Sequence, residues 1–112
     1  MPGITLEIPE ANLEFYVASL ARGVLAAMRS GSIETEVGIW SLGRPIFQQT
    51  LQDSSISAEL KNVLSVFDEL DMLKTLGGDL QGTLDHLLES LEACQRKAAS
   101  CESTDFRIKA LR

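Results

Sequence analysis

Apolar residues recur every three or four positions along most of this chain, and that spacing is typical of amphipathic helices. The first such stretch predicts a helix over about residues 9–30. Pro9 is suited to a first helical turn, and Gly31 is suited to a left-handed C-terminal cap. The predicted apolar stripe of this helix consists of Leu13, Val17, Leu20, Val24 and Ala27.

A short second helix is predicted over about residues 33–42, with Ser32 as its N-cap. Ile33, Val37 and Trp40 share one face at this spacing, and we expect that face to be buried. On this interpretation, replacing Trp40 with alanine costs about 3–5 kcal/mol of folding free energy. The segment around the only tryptophan is therefore interpreted as part of the core and not as a binding loop.

A break at Gly43 and Pro45 separates this helix from a third, short one. Gly43 ends the second helix, and Pro45 opens the third because its fixed backbone angle suits a first turn. The core interpretation leaves Arg44, which lies between them, without a role. The predicted apolar face of the third helix consists of Ile46, Phe47, Thr50 and Leu51.

Two longer helices are predicted in the second half of the chain. One runs over about residues 58–76, with Ser57 as its N-cap and with Gly77 and Gly78 after its end. In the other, Asp79 is the predicted N-cap, and leucines repeat at alternating spacings of four and three. The apolar positions of the first are Leu60, Val63, Leu64, Phe67, Leu70 and Leu73. The seam of the second consists of Leu80, Leu84, Leu87, Leu91, Cys94, Ala98 and Cys101.

Both ends of the chain alternate apolar and polar residues, which is the period of a strand with one buried face. Strand-like arms are therefore expected at residues 3–8 and 105–111, and they can pair into a small ribbon. An isolated pair of strands is marginal in water, so the ribbon needs support from the helices or from a second copy. Residues 1–112 are predicted to form one mainly α domain, a compact bundle of about five helices, three long and two short.

Charge is distributed unevenly along the chain. The total is −6, from 16 acidic and 10 basic residues. Residues 53–92 hold nine acidic and two basic residues, whereas residues 93–112 hold five basic and two acidic ones. The negative total predicts that nucleic acid is not a partner, because phosphate binding depends on lysine and arginine.

Neither the cysteines nor the histidine form a catalytic or metal-binding pattern. Cys94 and Cys101 are seven residues apart on one helical stripe, about 10 Å along the axis, which is too far for a disulfide within one helix. His86 and Glu89 form a single i, i+3 pair outside the leucine seam, and we expect them on a solvated face. The glycines of LGGDLQG match no phosphate-binding motif. We therefore predict that the chain is not an enzyme and that it binds no cofactor or metal.

The acidic run DELD at residues 68–71 is the strongest indication of a functional surface. A patch of one charge attracts and selects partners of the opposite charge. A solvated face that keeps a small domain soluble has the same composition. Leu70, Met72 and Leu76 can supply apolar anchors beside it. The predicted partner-binding residues are Asp68, Glu69, Asp71, Met72, Asp79, Asp85 and Glu89.

Five features follow one another over about residues 10–92. They are the first helix, the SGSIETE turn, the short tryptophan helix, the break at Pro45 and the two leucine-rich acidic helices. In this layout the chain resembles small helical bacterial proteins of unknown function, and some acidic helical proteins of this size are immunity proteins that neutralise toxins. The resemblance implies a helical fold and an inhibitory role, and it assigns no functional residues.

The leading hypothesis is a non-catalytic protein-binding domain, in its most specific form an immunity-type inhibitor whose acidic face blocks a basic toxin. The alternative is a homo-oligomeric structural or regulatory protein, for example a homodimer, assembled through the C-terminal helix from Leu80 to Cys101. A third hypothesis is a small-molecule sensor in which Trp40 lines a pocket. The N-terminus has no signal-like pattern and no long apolar stretch is present, so we expect a cytoplasmic location and no membrane association.

Overall fold

Helices make up most of this protein, as the sequence predicts. The computed structural model describes residue 3 and residues 5–43, 45–99 and 109–111. A short 3-10 turn, Glu10–Asn12, leads into the first α-helix. Within the described residues the α-helices are α1 Leu13–Ser30, α2 Thr35–Leu42, α3 Pro45–Gln52, α4 Ala58–Ser65, α5 Phe67–Thr75 and α6 Leu80–Ala99. The mainly α class is confirmed.

The long helix predicted over residues 58–76 is divided into α4 and α5 at Val66. Val66 keeps helical backbone angles, with φ −74° and ψ −17°, but its N–H donates to the Val63 carbonyl oxygen at 3.2 Å. This tighter i to i+3 bond interrupts the α-helical ladder. Leu64 and Phe67, on either side of the break, are both fully buried. One predicted long helix is therefore two short helices that share a core.

The centre of the core lies between α1 and α6, which make the most extensive contact of the described elements. The predicted leucine seam of α6 is confirmed from Leu84 to Cys94, where every seam residue is buried. Leucines on α4 and α5 extend the same cluster. Its buried residues are Ala18, Ala21, Leu25, Met28, Ile39, Leu42, Leu51, Ile56, Leu60, Leu64, Phe67, Leu70, Leu84, Leu87, Leu91 and Cys94.

The buried face of α1 differs from the predicted stripe. Leu20, which the pattern assigned to the core, is 54% exposed, whereas Ala18 and Ala21 are almost completely buried. Small side chains at these two positions leave room for α6 to approach α1 closely. Beside them, Arg22 Nη1 donates a hydrogen bond to Gln95 Oε1 of α6 at 2.7 Å. The apolar spacing predicted that Leu20 is buried. Packing of the neighbouring helix instead buries Ala18 and Ala21.

The predicted burial of Trp40 is wrong. Trp40 is 54% exposed and Val37 is 55% exposed, whereas Gly38 and Ile39 are buried. A Cβ atom built on Gly38 would lie 2.2 Å from Met28 Cγ, so the glycine allows α2 to pack closely on α1. Trp40 lies about 200° from Gly38 around the helix, at 100° per residue. Turning the glycine inward therefore turns the tryptophan outward.

Most helix ends follow the predicted signals. Gly31 and Gly77 adopt left-handed backbone, with φ 78° and 72°, and Ser57 Oγ accepts a hydrogen bond from the Leu60 N–H at 3.2 Å. The prediction that Ser32 caps α2 is wrong, because α2 begins three residues later. The Ser32 N–H is still bonded to a carbonyl oxygen in the last turn of α1, at 2.9 Å. This residue therefore belongs to the end of one helix and not to the start of the next.

The two ends of the chain meet in a short antiparallel ribbon. β1, Thr5–Glu7, pairs with β2, Lys109–Leu111, and Leu6 stands opposite Ala110. Within the described residues each strand has three residues, and both lie inside the predicted arms. Outside the described residues lie Ile4, Arg44, Cys101, Phe106 and Ile108, together with the side chains of Ile46, Phe47 and Asp68.

Candidate protein-binding site

The α5 segment has apolar residues on its buried face and also on an exposed side. Phe67 and Leu70 are fully buried and anchor the helix in the core. Met72 and Leu76, one turn apart on another side, are 66% and 77% exposed. Leaving two large apolar side chains in water costs hydrophobic free energy that a covering partner would recover. This pair is therefore a candidate anchor for a partner.

Met72 and Leu76 border a groove between α5 and the first turn of α6, which we call the α5 groove. Its volume is about 460 Å³. Glu69 is the one charged residue among its described lining residues, and Thr83 is the lining residue that belongs to α6. The residues that line it are Val66, Glu69, Leu70, Met72, Leu73, Leu76 and Thr83.

A short glycine link joins the two walls of the α5 groove. Gly77 has a left-handed backbone that ends α5, and a Cβ atom on Gly78 would lie 2.1 Å from Leu73 Cδ1. The link therefore packs directly on a lining side chain. Asp79 then starts α6, because its Oδ1 accepts a hydrogen bond from the Gly82 N–H at 2.9 Å. The predicted cap of α6 is confirmed, and the link between α5 and α6 lies beside the groove.

Two carboxylates are associated with the α5 groove. Glu69 lines it, and Asp79 lies one turn before Thr83, whose Oγ1 donates to the Asp79 carbonyl oxygen at 2.8 Å. The N-terminus of α6 stabilises negative charge at Asp79. Among the described residues, neither carboxylate takes part in an ion pair. The described lining includes no basic side chain, so the groove combines apolar walls with negative charge.

The acidic residues of α6 that face α1 are neutralised within the chain. Arg29 Nε donates to Asp85 Oδ1 at 2.8 Å. Glu92 lies 3.7 Å from Arg22 and 2.7 Å from Arg96. Asp85, one of the predicted partner-binding residues, is therefore paired with an arginine of α1 within the chain.

Two other predicted residues are exposed but lie away from the groove. Asp71 is about 200° around α5 from Glu69, and Glu89 is about 240° around α6 from Thr83, at 100° per residue. Residues that are adjacent in the sequence of a helix point in different directions, so the DELD run does not form one flat face. Of the predicted partner-binding residues, Glu69 and Met72 line the α5 groove, and Asp79 lies one turn before the lining residue Thr83.

Sequence reasoning missed Val66, Leu73 and Thr83 as groove residues. One signal could have found the first two. Apolar residues between Val66 and Leu76 cover a wider arc of the helix than a single buried stripe needs, which indicates a second apolar face. Thr83 had no local signal, because its place at the groove depends on the turn that brings α6 back against α5.

Cys94 lines a separate cleft of about 300 Å³ between α4 and α6. Burial raises the pKa of the Cys94 thiol above its ordinary value of 9.0. The negative charges of Glu14 and Glu59 raise this pKa further, and Lys97 lowers it. A thiol that stays protonated is a weak nucleophile. The cleft therefore offers no support for cysteine chemistry.

Two other hypotheses, oligomerisation through the α6 seam and small-molecule sensing at Trp40, require these residues at an accessible surface and at a pocket, respectively. Leu84, Leu87 and Leu91, the middle of the predicted oligomerisation seam, are buried within the chain's own core. A homo-oligomer of this fold would need another surface. Trp40, which a small-molecule sensor would use, lines neither the α5 groove nor the Cys94 cleft.

Comparison with known proteins adds no further assignment. No protein-family model matches the sequence, and no curated protein or solved structure is significantly similar to it. In the part of the chain that the structure describes, no helix has the length and apolar character needed to span a membrane. Nor do three or more His, Cys, Asp or Glu side chains gather there as a metal site would require.

Proposed function

We propose that this chain is a non-catalytic protein-binding domain whose partner docks at the α5 groove. The exposure of Met72 and Leu76 beside the carboxylate of Glu69 is the observation that carries this proposal. Apolar anchors that become fully covered supply most of the binding free energy in protein interfaces. Surrounding charges of one sign select partners of the opposite sign.

In its most specific form, the partner is a basic toxin and the chain is an immunity-type inhibitor. The net charge of −6 supports a basic partner, because long-range attraction speeds association and is useful for an inhibitor that must bind before damage occurs. The resemblance of the helical layout to immunity proteins points the same way. Inhibition then results from coverage of the toxin's basic surface and involves no reaction.

The test is co-expression with a basic toxin encoded by a neighbouring gene. Growth rescue measures inhibition, and calorimetry with the purified proteins measures affinity. We expect Glu69→Lys to abolish rescue and to weaken binding at least about tenfold. The thermal unfolding of this variant should stay close to that of the parent chain, because Glu69 makes no ion pair among the described residues.

A matched control separates the local surface from net charge. Glu10→Lys produces the same change in total charge at another exposed acidic position, and we expect it to keep rescue. Full rescue by Glu69→Lys would refute the proposal. Equal loss in both variants would show that total charge matters and that the α5 region does not.

A further inference from the structure

The lining residues of the α5 groove have the spacing of a helix-packing surface. From Glu69 to Leu76 they recur at i, i+3, i+4 and i+7, so they form one strip about 10 Å long. A second helix packs on such a strip by placing its own ridge of side chains between these residues. An extended peptide would need the free main-chain groups of a sheet edge. The backbone of α5 offers none along its length, because those groups are bonded within the helix.

The charges at the groove define the polar sides of a helix that fits it. Glu69 lies in the wall, Asp79 lies one turn before Thr83, and no described lining residue is basic. An apolar ridge alone would leave the Glu69 carboxylate facing a low-dielectric surface without compensation, which is costly. Lysine or arginine beside the ridge compensates it with charge-assisted hydrogen bonds.

We propose that the α5 groove binds an amphipathic basic helix of a protein partner. Apolar residues at i, i+3 or i+4 and i+7 of that helix pack on Met72 and Leu76, and its flanking lysines or arginines face Glu69. Met72 suits this role because its unbranched, polarisable side chain adapts to varied apolar surfaces. The inference rests on the proposed function and adds the class of structure that the groove recognises.

The first experiment uses a synthetic leucine–lysine peptide of about four helical turns as the probe. The protein carries three methionines, and its Met methyl groups can be labelled for NMR. Met72 is exposed, whereas Met28 is 4% exposed and serves as an internal reference. We expect the Met72 methyl signal to shift until one peptide is bound per chain, with Met28 unchanged. Circular dichroism should show the peptide becoming helical on binding.

The second experiment uses matched variants of the intact chain. Met72→Ser with Leu76→Ser should weaken peptide binding at least about tenfold. Val37→Ser with Trp40→Ser removes two apolar side chains of comparable exposure from α2, and we expect its affinity to stay within about twofold of the parent. All four side chains are largely exposed, so both variants should fold, and circular dichroism of the free proteins checks this.

Four results would overturn the inference. They are no binding of the leucine–lysine peptide, equal affinity for a peptide of the same composition with alternating leucine and lysine, equal loss in the α2 control, and a Met72 shift that depends on protein concentration alone. The last would identify a second copy as the occupant. If the peptide does not bind but growth rescue is still lost in Met72→Ser with Leu76→Ser, helix binding is refuted and docking at the α5 groove is not. Growth rescue that survives this variant, or that survives Glu69→Lys, would refute the proposed function itself.

Discussion

The seam of α6 and the α5 groove are both built from leucine-rich helices, yet their relations to solvent are opposite. Leu84 and Leu91 have no exposed surface, because α1 and α4 pack on α6. Met72 and Leu76 remain largely exposed on the outer side of α5. The same kind of apolar repeat therefore stabilises the fold where a second helix covers it, and leaves an exposed apolar surface where none does.

The charges near the seam are paired within the chain, whereas the charge at the groove is not paired in the part of the chain that the structure describes. Beside the seam, Asp85 is paired with Arg29 across the α1–α6 contact. At the groove, Glu69 has no ion pair among the described residues. At the seam, both the apolar surface and the charges are therefore paired within the chain. At the groove neither is, and this difference is the basis of the proposal that a partner docks there.

The largest expected contrast lies between two aromatic residues. Phe67→Ala should cost about 3–5 kcal/mol of unfolding free energy, because the side chain is fully buried where α4 meets α5. Trp40→Ala should cost less than about 2 kcal/mol, because half of its surface already meets water. Urea unfolding followed by circular dichroism measures both values. A loss at Trp40 as large as that at Phe67 would contradict the outward orientation of α2.

A leucine pair tests the seam against the groove directly. Leu91→Ala removes a fully buried seam side chain and should cost about 2–5 kcal/mol. Leu76→Ala, at the exposed end of the groove, should change stability by less than about 0.5 kcal/mol. The same unfolding measurement applies to both. Similar losses at the two positions would mean that the groove is part of the folded core.

Thiol reactivity gives a smaller contrast between the same regions. With Cys101→Ser as background, Cys94 should react with iodoacetamide at pH 8 at least about tenfold more slowly in the native protein than in urea. Its raised pKa leaves little thiolate at that pH, and burial limits access. A cysteine placed in the groove by Met72→Cys, with Cys94→Ser added, should react at nearly the unfolded rate. Fast native reaction of Cys94 would contradict the covered seam.

The same thiol gives the sign of a pH effect. The folded-state pKa of Cys94 is raised, so its protonated form is favoured by folding. This contribution to stability is complete below the ordinary thiol pKa and is lost as the pH rises through the raised value. Cys94→Ala should therefore reduce the loss of stability on moving from neutral to alkaline pH. An unchanged pH dependence would argue against that contribution.

The smallest expected effect is the coupling between Arg29 and Asp85. Both side chains are about half exposed, so a double-mutant cycle with alanine should give about 0.2–1 kcal/mol, decreasing as salt is added. A cycle between Arg29 and Asp71 should give no measurable coupling. Coupling of the same size in both cycles would mean that general charge balance is measured and not a specific ion pair.

Much of the local structure was predictable because its causes lie within a few residues. Gly31, Ser57 and Asp79 end or start helices through their own backbone or side-chain chemistry, so neighbouring residues suffice to locate them. The seam of α6 was equally predictable, because a leucine stripe sustained over several turns has no good alternative to burial. The break at Val66 was not, since nothing in the local sequence opposes a continuous helix there.

The candidate site was predictable only in part. The sequence identified Glu69 and Met72, which line the groove, but it grouped them with Asp71, Asp79 and Asp85. The run of acidic residues predicted one continuous acidic face, but helical rotation spreads neighbouring residues around the axis. Thr83 lies at the site because of the glycine link that joins α5 to α6. Such a contact depends on the path of the chain between the two helices.

The sequence by itself determined which segments are helical, where most of them end and which stretch of the chain carries excess negative charge. These properties depend on periodicity, capping and composition, which act locally. Tertiary packing decided which side of each helix is inward. Gly38 brought α2 against Met28 and turned Trp40 outward, and the core took Leu70 while leaving Met72 and Leu76 at the surface. The physical reason is that a side chain is buried only when another part of the chain packs on it. A local stretch of sequence contains only one of the two surfaces that meet.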